Sequence, residues 1–199
     1  MAVLSGHHAD LYIAAGPSTA FTDEVCALVS GTTYQITDTA KRHWDPSASF
    51  TVEVSGIVQD SSSYELIWAS GKIVFKTAPG GIVTVSGAYL TLSQAGQAYN
   101  WSLEYGPELA TSTVFGSSWV ERTAVISDGS GSFERFYLDE EFHTSLGNYF
   151  VMALYVNQPS GARFLAVGKL NPTINVRTGE LITENVSFST HGGIDYAAS

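Results

Sequence analysis

Apolar and polar residues alternate along much of the chain, and Gly, Ser, Asp and Pro interrupt the alternation at intervals. This is the pattern of half-buried strands joined by turns. From Ser49 to Ser55 it puts Phe50, Val52 and Val54 on one face and Thr51, Glu53 and Ser55 on the other. Tyr64 to Ala69 and Lys72 to Lys76 flank Ser70-Gly71, a two-residue connection that predicts a β-hairpin. Tyr64, Leu66 and Trp68 share one face of its first strand. Ile82 to Leu92 continues the β pattern after Pro79-Gly80-Gly81. Tyr99, Trp101, Leu103 and Tyr105 then alternate with Asn100, Ser102 and Glu104, and Gly106-Pro107 predicts the end of that strand. Glu121 to Ile126 and Ser132 to Leu138 bracket Ser127-Asp128-Gly129-Ser130-Gly131, which predicts a second hairpin with a five-residue loop.

Asn148 to Asn157 is apolar on both faces, with Phe150, Met152 and Leu154 on one and Tyr149, Val151, Ala153 and Tyr155 on the other. A strand covered on both sides lies inside a sandwich or at a subunit contact. After the turn at Gln158-Pro159-Ser160-Gly161, Arg163 to Leu170 returns as its partner. Leu181 to Thr190 sets Ile182, Val186 and Phe188 against Thr183, Asn185, Ser187 and Ser189. One helix of about two turns is predicted. Asp139 is its N-cap, Glu140 and Glu141 suit its positive end, Phe142 and Leu146 form its buried stripe, and Gly147 caps its C-terminus. Asp38 to Trp44 predicts a further single turn, stopped at Asp45-Pro46. Strands recurring about every 8–15 residues, with one short helix, predict a mainly β fold. The expected architecture is a β-sandwich or barrel with one short flanking α-helix. It forms a single domain over residues 1–199, with irregular segments at about 1–9 and about 191–199.

The 199 residues suit one domain, and 44% of them are hydrophobic, including ten Tyr, ten Phe and four Trp, so core material is plentiful. Charged residues make up only 14%, against about 25% in ordinary domains. Ser, Thr, Asn, Gly and apolar side chains must therefore cover the surface. Such a surface gives up little hydration against a copy of itself; it also fits a Ser/Thr-rich β protein of ordinary solubility. Nineteen acidic residues face nine basic ones, for a net charge of −10. That balance argues against wrapping nucleic acid, although an acidic wall can face nucleic acid in order not to stick to it. Cys26 is the single cysteine, which excludes an internal disulfide and fits a reducing compartment. Within Val25-Cys26-Ala27-Leu28-Val29 it reads as a small buried hydrophobe rather than a nucleophile. Met1 to Ile13 lacks the apolar stretch of a signal peptide. No apolar run approaches the ~20 residues of a membrane span, so no membrane partner is expected. A cytosolic product follows, in which Asn100-Trp101-Ser102 and Asn185-Val186-Ser187 carry no glycosylation message.

Catalytic signals are missing. His7, His8, His43, His143 and His191 show no zinc-ligand spacing, and His7-His8 with Asp10 offers only adventitious metal capture. Adjacent Glu140 and Glu141 diverge on a helix. Gly129-Ser130-Gly131 lacks the spacing and the strand–turn–helix context of a nucleophile elbow. No Gly-rich loop opens a helix to cradle phosphate. Neither an enzymatic activity nor a cofactor or metal is expected. The aromatic stripes Tyr99, Trp101, Tyr105 and Tyr64, Trp68 suit a glycan-binding platform, as in a carbohydrate-binding module, but stripes of this kind more often form a core.

Two stretches resemble a known family. One runs from Cys26 through Ser30-Gly31-Thr32-Thr33-Tyr34-Gln35-Ile36-Thr37-Asp38, Ala40-Lys41-Arg42 and Trp44-Asp45-Pro46 into Phe50 to Ser55. The other is Ser70-Gly71-Lys72-Ile73-Val74-Phe75 with Val83-Thr84-Val85-Ser86-Gly87-Ala88-Tyr89-Leu90. Together with Trp101-Ser102-Leu103-Glu104 and Glu184-Asn185-Val186-Ser187-Phe188, they are similar to the tail tube (major tail) proteins of long-tailed bacteriophages. The resemblance implies a β-sandwich or barrel whose copies close into hexameric rings. The rings stack into a virion tube, assembled in the host bacterial cytoplasm, that conducts DNA and the tape-measure protein. Its implied partners are further copies of the chain, the tape-measure and other tail proteins, and DNA passing without specific binding. It also implies that the hairpin Tyr64 to Lys76, exposing Tyr64, Trp68, Ile73 or Phe75, is a ring-stacking arm, unless those side chains complete the local core. Glu53 is the candidate acidic residue facing the lumen. Another ring-forming tail part, such as a terminator, head–tail joining or baseplate subunit, shares this architecture. The tube module is expected to stand alone, without the additional immunoglobulin-like domain that some tail proteins carry.

Overall fold

The computed structural model describes residues 10–14, 17–95, 98–112, 121–137, 140–144 and 146–197. In chain order its strands are β1 (Asp10–Ala14), β2 (Thr19–Ser30), β3 (Thr33–Ile36), β4 (Thr51–Val54), β5 (Ile57–Val58), β6 (Tyr64–Ile67), β7 (Lys72–Phe75) and β8 (Val83–Tyr89). These are followed by β9 (Ser93–Gln94), β10 (Ala98–Ser112), β11 (Glu121–Phe136), β12 (Phe150–Asn157), β13 (Ala162–Asn175), β14 (Thr183–Thr190) and β15 (Asp195–Ala197). They form two antiparallel sheets. Sheet I has the order β10-β11-β14-β13-β12-β1-β9, with β15 also paired to β13, and sheet II has the order β5-β4-β8-β2-β3-β7-β6. The mainly β, sandwich-type architecture and its single short helix, α1 (Glu141–Thr144), are those the sequence predicts.

The alternating faces explain the layers. Sheet I curls as a half-barrel around Leu11, Phe133, Phe150, Met152, Val186 and Phe188, and α1 inserts Phe142 among them. Sheet II closes over Trp44, Val52, Ile73, Phe75, Val83 and Val85. A third cluster, including Ala14, Ala69, Leu90, Val151, Ala153 and Val167, joins the two sheets. β12 therefore buries both faces within the chain: Phe150, Met152 and Leu154 enter the half-barrel, and Val151 and Ala153 enter the layer between the sheets. Of the two explanations for its doubly apolar pattern, the interior of the sandwich is the one realised.

Four predicted boundaries are corrected. First, the hairpin of β6 and β7 pairs Tyr64 with Phe75 and Ile67 with Lys72, so its connection is the four residues Trp68 to Gly71 rather than two. Gly71 has φ +63°, and an added Cβ there would lie 2.8 Å from the Arg42 carbonyl oxygen, because the connection is packed against its neighbours. Second, β10 continues through Gly106-Pro107, and β11 continues through Ser127 to Gly131. A proline is tolerated on β10 because β10 is the edge strand of sheet I. Third, α1 is a single turn. Phe142 is buried but Leu146 lies beyond the helix end and is exposed, while Gly147 adopts the expected positive φ. Asp139 and the segment 1–9 lie outside the described residues. Fourth, the C-terminal stretch is not wholly irregular. β15 pairs Asp195 with Leu165 and Ala197 with Arg163, and Asp195 accepts from Lys72 Nζ at 2.6 Å, tying the stretch to sheet II.

Candidate functional site

β10 and β11 pair from Ala98–Arg135 out to Ser112–Glu121. β14 accompanies β11 only from Ser130 to Phe136. From Tyr105 and Gly129 outward the two strands continue as a ribbon, and no third strand pairs with it among the described residues. Eight residues on β10 give it a reach of about 24 Å. Its base is anchored: the Tyr105 and Phe164 rings lie 5.7 Å apart, and the Phe164 and Tyr196 rings 5.0 Å apart. Gly129 leaves room for Ile194, whose Cδ1 would be 2.6 Å from an added Cβ. A lone two-stranded ribbon is marginal in water, and its outer edges are templates for pairing.

The outward face of the same sheet is a lattice of small polar groups. Register aligns Asn100, Glu134, Asn185 and Thr173 in one row across β10, β11, β14 and β13. The next rows are Ser102, Ser132, Ser187, Asn171 and Glu104, Ser130, Ser189, Lys169. The last two rows line a shallow open groove. Ser102 and Ser132 hydroxyls lie 3.1 Å apart, Ser187 donates to the Asn171 carbonyl at 3.3 Å, and Asn185 donates to Glu134 at 3.3 Å. Two carboxylates and one ammonium give the face a formal charge of −1 over these three rows. The face is polar, nearly neutral and, over these rows, without an aromatic platform.

Beneath the lattice, Arg135 and Glu184 are almost completely buried. Arg135 Nε donates to Glu184 Oε2 at 2.6 Å, and His143 Nε2 lies 2.9 Å from Glu184 Oε1. The guanidinium sits 4.0 Å from the Phe142 ring centroid. This cluster joins β11, β14 and α1 below the ribbon. The sequence reading missed it, although Glu184 follows Ile182 by two residues and so falls on the apolar face of its strand.

The four hairpin residues proposed as a stacking arm lie in or against the core of sheet II. Ile73 and Phe75 are buried, and Tyr64 and Trp68 are half-buried. Phe75 contacts Tyr34 and Tyr64, with ring centroids 5.7 and 6.0 Å away, and Trp68 lies 5.1 Å from Phe50. Their parity matches the inner face, so completing the local core is the reading that holds. Glu53 is half-buried on β4 between Val58 and Thr84, in sheet II and apart from the polar lattice. Trp101 packs on the half-barrel core beside Leu103, which removes it from an exposed glycan platform, while Tyr105 is exposed at the ribbon's base. The Tyr99 side chain lies outside the described residues.

His43 is half-buried, and desolvation holds its pKa below the ordinary value, against a 2.8 Å contact of Nδ1 with the Ala69 carbonyl oxygen. Among the described residues, no group of three or more His, Cys, Asp and Glu is placed to hold a metal. Cys26 is buried, and burial, aided by the Glu24 charge, pushes its thiol up to about 12. Folding therefore favours the protonated thiol, and the stability it contributes falls as pH rises from 9.0 toward 12. At pH 8 the native protein is expected to resist maleimide labelling, whereas the unfolded chain reacts. Rapid labelling of the native protein would show that β2 opens.

Apart from Tyr105, Leu146 and Tyr196, the exposed large apolar side chains of the described residues group in two places. On sheet II they are Val25, Leu28, Val29, Ile57, Val58 and Ile82. At the connection between β13 and β14 they are Ile174, Val176, Leu181 and Ile182. Among the described residues, no helix is long and apolar enough to cross a membrane. No protein-family model matches the chain, and no curated protein shows significant similarity to it.

Proposed function

We propose that this chain is the structural subunit of a bacteriophage tail tube. Six copies close into a ring, rings stack, and the bore conducts DNA and the tape-measure protein. The observation that supports this most is the projecting β10–β11 ribbon, a long two-stranded element with which no third strand pairs among the described residues. An isolated monomer gains little from such a ribbon, whereas in an assembly its edges meet a partner.

The polar lattice supplies the wall of the bore in this reading. Hydroxyls and amides stay hydrated as a polymer slides past. The single Lys169 in these rows offers little of the phosphate neutralisation that makes DNA stick, and Glu104 and Glu134 repel it weakly. The lattice takes the lumen role that the family resemblance gave to Glu53.

Electron microscopy of the purified protein, alone and with its tail partners, tests this proposal. Hollow six-fold tubes are expected. Rings that close but never elongate under any condition would favour a terminator, joining or baseplate subunit. A chain that stays monomeric throughout would overturn the assembly reading.

A further inference from the structure

The short strand β15 has two faces with different partners. It pairs with β13 from Arg163 to Leu165, on the flank that β14 occupies only from Gly168 onward. Side chains alternate along it and the residue before it. Ile194 packs on the half-barrel core and fills the space beside Gly129. The Tyr196 ring lies 5.0 Å from Phe164, which in turn lies 5.7 Å from Tyr105. Asp195 and Ala197 turn the other way. Asp195 accepts from Lys72 Nζ of β7 at 2.6 Å, with the two side chains 18% and 19% exposed. Ala197 packs on the apolar layer between the sheets. Residues 194–197 therefore touch the base of the ribbon with one face and sheet II with the other.

We infer that residues 194–197 form a strap that clamps the ribbon's base to sheet II, with the Lys72–Asp195 ion pair as its latch. This goes beyond the tube reading and does not depend on it. The strap is built to lift as a unit. Among the described residues its one strand partner is β13, over three residues. His191 N donates to the Val167 carbonyl at 2.7 Å and fixes the near side of a hinge at Gly192-Gly193. Gly192 has φ +79°, an added Cβ there would meet only Trp68 at 3.8 Å, and one at Gly193 would meet nothing within 4 Å. The backbone therefore turns at the hinge with no packed side chain to hold it. The sheets themselves are joined by the apolar layer of Leu90, Val151, Ala153 and Val167, which the ion pair does not carry. Loss of the latch thus lifts the strap and leaves the sheets together, a local opening rather than unfolding. As the strap lifts, Ile194 leaves Gly129 on β11 and Phe164, beside Tyr105 of β10, loses the Tyr196 ring. Tyr105 and Gly129 are paired partners, so both strands lose support at one point. Two strands are marginal alone, and this is where the ribbon stops being part of a wider sheet.

Amide-resolved hydrogen exchange on the full chain tests the inference. Lys72→Met removes the latch from the sheet II side, at a residue that pairs with Ile67 and Gln35 and not with the ribbon. Exchange is expected to speed up about tenfold in residues 163–165, 104–106 and 129–131 alike, the loss that goes with one charged hydrogen bond. Val52 and Val85, in the core of sheet II, are expected to keep their protection. Asp195→Asn cuts the same latch from the strap side without altering β7, and is expected to give the same pattern even where Lys72→Met does not fold. Lys72→Glu with Asp195→Lys rebuilds the pair with its charges reversed and is expected to return all three segments toward the parent rates. Faster exchange confined to residues 163–165 would show that the strap opens without supporting the ribbon, and would overturn the clamp. Unchanged exchange in all three segments would overturn the latch. Equal acceleration that includes Val52 and Val85 in both single variants would show general destabilisation and overturn the inference as well.

Discussion

Replacing Glu184 by leucine is expected to destabilise the folded chain by about 3–5 kcal/mol, the range for breaking a buried ion pair from one side. Glu184 is 0% and Arg135 2% exposed, and Arg135 Nε donates to the carboxylate at 2.6 Å. The substitution removes the Glu184 carboxylate from the buried guanidinium over the Phe142 ring. His143 loses its acidic neighbour as well. For a chain of this size each kcal/mol moves the melting temperature by about 2–4 °C, so a fall of roughly 6–20 °C is expected. Arg135→Met combined with Glu184→Leu is expected to recover much of that loss, because an apolar pair of similar volume removes the need for charge pairing. A single variant that melts within 2 °C of the parent, a loss of under about 1 kcal/mol, would show that the cluster is solvated and energetically idle.

The burial of Glu184 was legible in the sequence, but its partner was not. Alternation through Ile182, Val186 and Phe188 marks the inner face of β14, and residue 184 has the same parity. A charge at such a position demands a partner, yet nothing in the spacing points to Arg135, 49 residues earlier. The doubly apolar β12 was legible for the opposite reason, since its requirement is satisfied by whatever apolar layer lies on each side. The hairpin of β6 and β7 was legible as pairing and illegible as packing. Period two shows which side chains share a face but not whether the chain itself covers that face. The polar lattice also escaped the reading, because its rows exist only once four separate strands fall into register.

The ribbon was hidden by glycines whose role the sequence leaves ambiguous. Ser127-Asp128-Gly129-Ser130-Gly131 has the composition of a turn, but β11 runs through it because a neighbour occupies the space that a side chain would fill. A Cβ on Gly131 would lie 2.1 Å from the Ser102 carbonyl oxygen on β10 and 2.5 Å from Cζ of Phe188 on β14. Phe188 closes the half-barrel core by lying across this glycine, an arrangement that any larger residue prevents. Gly131→Ala is therefore expected to destabilise the protein by up to about 3 kcal/mol, as overpacking of a close contact does. It should also speed protease cleavage of the ribbon, because β10 must move away from β11 at the ribbon's base. Adding Phe188→Leu should restore only part of the stability, since it relieves the ring but not the carbonyl. Gly106→Ala supplies the opposite sign within the same element. Nothing lies within 4 Å of its added Cβ, so it is expected to be neutral or to stabilise by up to about 1 kcal/mol. If urea unfolding gives both variants the same midpoint, Gly131 is a turn residue after all, and the continuous β11 that carries the ribbon is wrong.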